Sequence, residues 1–564
     1  MKKEAKTVEN RLSRQEIAQK LFEYEKAIQS CPSQRQIAEE IEIPRSTIQH
    51  WLKRKDSIDT APEVVTFFES PVGTAFLHRL VLGAQFVITQ VGPCGIRLVC
   101  QYLELTGLDQ FVASSYGTQQ KVSVQMEQAL VEFDKEEKKR LAEGMKPKKI
   151  TVCQDENFHS DPCLVAIEPV SNFILLEKYS ESRKAHEWTK AMEEATQGLP
   201  VEIVQSTSDE GKGIVHHVEK DLGVQHSPDV FHVENEIVKG TSAPLASKTK
   251  RASEAHEKAT DKVNSSIKEK EAYLSNKRGP GRPPDFDKRI EETRTKEEDA
   301  RQSLLKAGDH QKQMKDAIKG ISETYHPFAL DTGRMKSSEE VSTSLNKCFS
   351  EIEDVASSAD LSEVSFKRIK KAKKVVVDMV ATIVFYLLAI RAKVEVLSLA
   401  PEVEKAVFEN FIPAIYLHIV SEKTKCGEVR EQLRRKSEEL LEPLRAVNGP
   451  FSCLTSEEIA LIEEVSQECA CLFQRSSSCV EGRNGQLALR HHSLHRLSDR
   501  KLGALTAVHN YYVKRNDGTT AAERFFGKKP RDLFEYLLDR LDLPARPAQK
   551  RSQPEQKKYF LIAA

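Results

Sequence analysis

A chain of 564 residues is too long for one hydrophobic core and is expected to hold three or four domains. Its 39% hydrophobic and 30% charged residues describe a soluble, globular protein rich in surface charge. The formal net charge of +0 argues against a nucleic-acid partner only until the charges are mapped: residues 482–564 carry 17 Lys and Arg against 8 Asp and Glu, and local patches set the attraction for phosphate.

MKKEAKTVEN opens on charge with no apolar stretch behind it, so no signal peptide is expected and the protein is expected in the cytoplasm, at the nucleoid if the source is bacterial. Residues 1–60 read as a helix-turn-helix domain. A helix over 14–28 precedes one over 33–41, where Ser33 and Gln36 form a capping box. A second helix over 45–53 follows the turn at EIP. Ile37, Ala38, Ile41, Ile43, Ile48, Trp51 and Leu52 have the spacing of such a module's core. Arg45, Ser46, Thr47, Gln49 and His50 then lie on the groove-facing side, with Lys53 and Arg54 placed for phosphates. Residues 61–145 read as a second helical domain, broken at GPCG and LTGLD, either a further DNA-binding module or a packing unit.

From residue 146 the period changes. ITVCQDENF, CLVAIEPVSN and FILLEKYS are three short strand-like runs. A helix over 183–197, the strand VEIVQS, a helix after Asp209 and a last strand VQHSPDVFHV complete this part, residues 146–239. Residues 240–475 lose strand signals and form an all-helical region. Charged helices over 243–276 and 285–324 flank KRGPGRPP as a protruding hairpin. The apolar run over 375–390 carries Asp378 and is short for a membrane span, so a buried helix is expected and no membrane partner. The 11 cysteines form no C-x-x-C pair, and Cys469 and Cys471 stand too close for a zinc knuckle, which leaves reduced thiols. Residues 476–543 return to the core, and 544–564 read as a flexible basic tail.

The chemistry rests on isolated carboxylates. Asp155 ends the first apolar run, Asp209 follows the fourth, Asp229 and His232 form a D-x-x-H, and Glu481 opens a polar helix in SSSCVEGRNG. Two Asp on neighbouring strands and a distant Glu on a helix supply the oxygen ligands of a two-metal phosphodiester site. Glu156, Glu210 and Glu523 are rival ligands.

This ordered set resembles the RNase H-like DDE transposases of insertion sequences, and more closely the branch with a C/D-x-x-H signature after the second Asp, which includes hAT- and Mutator-type enzymes. The likeness covers roughly residues 149–235 and 476–541, and the 271 residues between Asp209 and Glu481 match an insertion at the same point in several such enzymes. It implies an α+β multidomain fold, with an RNase H-like mixed α/β catalytic core interrupted by a large all-α insertion and preceded by the helix-turn-helix and helical domains. It also implies catalysis and binding of two Mg²⁺ ions, with Mn²⁺ as substitute, by Asp155, Asp209 and Glu481, with Asp229 and His232 in support. The expected partners are double-stranded DNA, as element ends and target, and further copies of the chain assembled on it. KRGPGRPP resembles an AT-hook, with Arg282 in a minor groove and Arg278 on phosphate, although Gly and Pro also suit a hairpin tip. Arg483 and Arg490 are expected to face DNA. The rival functions are a DNA-binding protein that kept the fold without catalysis, and a structure-specific nuclease.

Overall fold

The computed structural model describes residues 12–30, 33–159, 161–276, 284–494 and 497–548, a mixed α+β protein dominated by helices around one sheet. The sheet has five strands: β1 (Lys148–His159), β2 (Asp161–Glu168), β3 (Phe173–Tyr179), β4 (Val201–Ser208) and β5 (Gln225–Pro228). Their order is β3-β2-β1-β4-β5. The first three make an antiparallel meander; β4 and β5 run parallel to β1 and are reached by helical crossovers.

Side-chain alternation sends the strands' residues to two helical layers. Leu164, Ala166 and Leu176 pack on Trp188, Ala191 and Met192 of the crossover helix Ala185–Thr196. On the other face Cys153, Val165, Ile167 and Ile174 meet Val480 and Leu487, together with Leu502 and Leu505. Those partners belong to two late helices, Ser478–Leu494 and Asp499–Tyr511.

The helices used below are α1 (Arg14–Ala27), α2 (Gln34–Glu40), α3 (Arg45–Asp56), α4 (Tyr116–Ala142), α5 (Ala185–Thr196), α6 (Val230–Ser275), α7 (Phe286–Thr324), α8 (Glu363–Lys374), α9 (Val376–Glu395), α10 (Ser478–Leu494) and α11 (Asp499–Tyr511). The first three form a small module whose core is Leu21, Tyr24, Ile37, Ala38, Ile41 and Ile48. Ser33 caps α2 by accepting the Gln36 N–H, one half of the expected capping box, and Ser13 with Glu16 completes a capping box at α1.

The structure refines one expectation and overturns two. Residues 61–145 divide between two cores: Leu77, Val81, Val99, Leu103, Leu108, Phe111 and Val112 cluster with Leu543, whereas Met126, Leu130 and Phe133 of α4 pack with Ile150 and Val152 of β1, Phe173 of β3, and Val508 and Tyr511 of α11. The D-x-x-H is not in a strand. β5 stops at Pro228, Asp229 caps a helix, and α6 runs 46 residues through the expected boundary at 239/240. The tail is anchored where it begins. Arg546 pairs with buried Glu69, Arg14 donates to the Pro544 carbonyl, and Arg54 donates to that of Pro547.

The expected insertion is a helical region packed around a shared core, in which α6 and α7 form the long antiparallel hairpin and Phe349, Met379, Ile383, Tyr386 and Phe473 are buried together. Two helical stretches, Pro71–Val91 and Glu363–Glu395, are long and apolar enough to cross a membrane. In the second, Val376, Met379, Ile383, Tyr386, Ile390 and Val394 are buried in the insertion core.

Candidate active site

Parallel pairing of β1 with β4 ends at Cys153 opposite Thr207. Two residues further along each strand stand Asp155 and Asp209. β4 stops at Ser208, whereas β1 continues beside β2 to His159, so Asp155 lies within its strand and not at its end. The strands therefore part at the level of the two aspartates, and the carboxyl ends of parallel strands leave a notch that side chains from other elements can enter.

Asp155 pairs with Val165 in register and so shares the face covered by α10. That helix delivers Glu481 from its first turn, and α6 delivers His232 from its own. One ligand atom from each of Asp155, His232 and Glu481 lies within 4.8 Å of the others. His232 Nε2 is 3.6 Å from Glu481 Oε1. Asp155 Oδ1 accepts the Glu156 N–H at 2.8 Å, and its Oδ2 accepts from Asn484 Nδ2 at 3.1 Å. The Oδ1 of Asn484 and the Nε2 of His232 are buried without a hydrogen-bond partner. Asp209 stands outside this 4.8 Å group, half-buried, with its Oδ1 accepting the Gly211 N–H at 2.9 Å.

The electrostatics follow from that convergence. Burial, then the Glu481 and Asp209 carboxylates, push the Asp155 carboxyl up to about 7. The Glu156 N–H it accepts, and more weakly His232, act on it in the opposite sense. Carboxylates gathered at a notch with unpartnered polar atoms beside them suit a divalent cation chemically, because it supplies the positive charge the cluster lacks. The imidazole makes this donor set softer than the all-oxygen set expected for Mg²⁺, and open to Mn²⁺ or Zn²⁺.

Asp229 sets the geometry. Its Oδ1 accepts the Phe231 N–H and caps α6, while its Oδ2 accepts the Ser477 N–H at 3.0 Å and the Ser477 hydroxyl. The Val230 N–H also donates to the Arg475 carbonyl at 3.0 Å. The helix bearing His232 is thereby tied to the turn that starts the helix bearing Glu481. Asp229 is a positioning residue, and only 1% of its surface is exposed.

The rival carboxylates are placed elsewhere. Glu156 points to the opposite face, where Trp188 Nε1 donates to it at 3.3 Å and Arg183 pairs with it. Glu210 and Glu523 are not members of the cluster; Glu523 lies in the first turn of the helix Ala521–Phe526.

On α3, Arg45, Ser46, Gln49, His50 and Lys53 are exposed together, Thr47 is half-buried, and Arg54 is turned to the Pro547 carbonyl. Arg278 and Arg282 lie outside the described residues. Arg483 and Arg490, expected to face DNA, are both engaged by other parts of the chain. Arg483 is buried in a bidentate pair with Glu177 at 2.7 and 2.6 Å. Arg490 donates to the carbonyls of Thr89, Gln90, Val91 and Gly92, and burial lowers its pKa to about 10. A basic residue near a catalytic Glu reads in sequence as a phosphate ligand; whether a carboxylate or carbonyl takes it first depends on folding.

Sequence reasoning missed Asn484 and Ser477. Asn484 had a signal, since it lies three residues after Glu481 and so on the same helix face. Ser477 had none.

A family model described as "Family of unknown function (DUF6399)" matches residues 407–553, a span that includes Glu481 and Asn484. No curated protein and no solved structure matches the chain.

Proposed function

We propose that this chain is a DDE-type transposase with an RNase H-like core, cutting and joining DNA at Asp155, Asp209 and Glu481. The observation that carries the reading is the return of Glu481 to Asp155 after 271 intervening residues beyond Asp209, with the two ends of the insertion hydrogen-bonded to each other. The strand order agrees with it, since an antiparallel meander followed by two parallel strands brings Asp155 and Asp209 to adjacent strand positions.

In this reading Asp155 and Glu481 hold a divalent cation with His232 beside them, and Asp209 completes the set when nucleic acid enters the notch. Bound cations activate an attacking oxygen and neutralise charge on the leaving one. The remaining work falls to the chain. Asn484 orients the Asp155 carboxylate, Asp229 holds α6 and α10 at a fixed separation, and the sheet supplies a rigid floor. The exposed face of α3 contributes to recognition of the element's ends in the cytoplasm, with further copies of the chain assembling there. The test is incubation of the full chain with DNA carrying the flanks of its own coding region and Mg²⁺ or Mn²⁺, scoring cleavage and strand joining separately. Cleavage without joining points to a nuclease; neither, with binding retained, points to a protein that kept the fold alone.

A further inference from the structure

Helix α8 packs its apolar residues Ile369 and Ala372 into the insertion core. Its outer face carries exposed Lys367, Lys370, Lys371 and Lys374. Lys371 and Arg368 share Glu236, at 3.5 and 3.3 Å, and Lys373 pairs with Glu353 at 2.8 Å. Among the described residues no carboxylate pairs with Lys367, Lys370 or Lys374. Cations in the last turn complement the helix dipole, which accounts for Lys374, but Lys367 and Lys370 lie outside that turn.

The place of this stripe gives it meaning. His232, Glu236 and Gly240 follow one another at four-residue steps along one face of α6. At Gly240 the helices approach so closely that a Cβ would meet Arg368 carbons at 3.2 Å and the Ser365 Cα at 3.5 Å. Ser365 is thus level with Gly240 and Lys371 with Glu236, so α8 runs antiparallel to α6. Continued by three residues, that course brings Lys374 level with His232.

We infer that Lys367, Lys370 and Lys374 form a backbone-binding rail that leads one strand of nucleic acid into the notch at Asp155, a reading that rests on the proposed function. The stripe spans about 10 Å at 1.5 Å per residue, the length of about three phosphates at 3.4 Å each. A point-like ammonium at each position suits phosphate without reading sequence. A bilayer is a poorer fit because the apolar face of α8 is already buried in protein.

The test compares the full-length chain with its K367Q/K370Q/K374Q variant, binding a labelled DNA duplex over a range of salt. The rail requires the slope of log affinity against log salt to fall by about 2.7, at about 0.9 per phosphate, with binding weakened about tenfold or more at low salt. The triple Lys→Arg variant keeps the wild-type slope, and the melting temperature of all three proteins is the same. If the triple Gln variant does not fold, Lys370→Gln alone is expected to lower the slope by about 0.9. A wild-type chain that binds and cuts while the variant keeps its slope overturns the rail and leaves the proposed function standing. A wild-type chain that neither binds nor cuts DNA removes both. Loss of binding to anionic vesicles in place of DNA assigns the stripe to lipid and overturns it too.

Discussion

Asp229 and Ser477 are 248 residues apart in sequence and hydrogen-bonded at 3.0 Å in the fold. They join the two ends of the helical region between β5 and α10, so that the chain leaves and returns to the sheet at one point. One carboxylate caps α6 and holds the turn before α10, which makes the spacing of His232 and Glu481 a consequence of a buried polar joint.

Replacing Asp229 with Ala leaves the buried Ser477 N–H and the part-buried Phe231 N–H without their partner. The buried loss at Ser477 costs about 1–3 kcal/mol. The expected result is faster hydrogen exchange over residues 476–481 and loss of DNA cleavage, while exchange in α1 to α3 is unchanged. Ser477→Ala removes only part of the joint, and the double variant is no worse than Asp229→Ala alone. Additive effects of the two substitutions would show that the bond does not couple the helices.

Asp155 makes the metal-free protein pH-dependent in a direction opposite to the usual carboxylate. Its carboxyl titrates at about 7 when folded and about 3.9 when unfolded, so the folded chain holds the extra proton in between. This group therefore subtracts stability progressively as pH rises from about 4 to about 7, reaching on the order of 4 kcal/mol. Asp155→Asn is expected to raise the melting temperature of the metal-free chain at pH 8 and to flatten its dependence on pH. The same substitution removes the thermal stabilisation given by Mn²⁺ or Mg²⁺. An equal cation-induced shift in Asp155→Asn and wild type would take the residue out of the ligand set.

Glu481→Gln is expected to lose strand cleavage as fully as Asp155→Asn or Asp209→Asn, and Glu523→Gln to keep most of it. The contrast comes from position, since Glu481 is within the 4.8 Å group and Glu523 is not. Cleavage assays with the four purified variants decide it, and retained activity in Glu481→Gln removes that residue from the catalytic set.

Arg483 and Arg45 differ in what their loss reports. Arg483→Ala uncovers Glu177 in the interior and is expected to destabilise the chain by about 3–5 kcal/mol, seen as a lower melting temperature. Arg45→Ala and Lys53→Ala, on the exposed face of α3, leave the melting temperature in place and reduce the salt dependence of DNA binding by about one phosphate each. A Lys53→Ala protein with wild-type affinity and slope would move the contact surface away from α3.

Much of the secondary structure was legible because its signals are local. Period-two runs marked β1 to β4, the helix-turn-helix spacing marked α2 and α3, and dense charge at helical spacing marked α6 and α7. The five residues DVFHV (229–233), expected as the end of a strand, instead cap and begin α6, since apolar residues in so short a run fit either period and the capping role of Asp229 settles the matter for helix. Asp155, Asp209 and Glu481 could be picked out in sequence, yet nothing local joins a glutamate to an aspartate 326 residues earlier. The antiparallel register of β1 with β2 chose the face on which Asp155 stands, and the joint at Asp229 and Ser477 brought α10 back to it. The sequence by itself determined which residues carry charge and which segments are helix or strand, because those follow from side chains a few positions apart. Only the tertiary structure decided which charges meet: Arg483 was claimed by Glu177, Glu156 by Trp188 and Arg183, and His232 was left beside Glu481, since burial forces each polar group to whatever partner the packed core brings within reach.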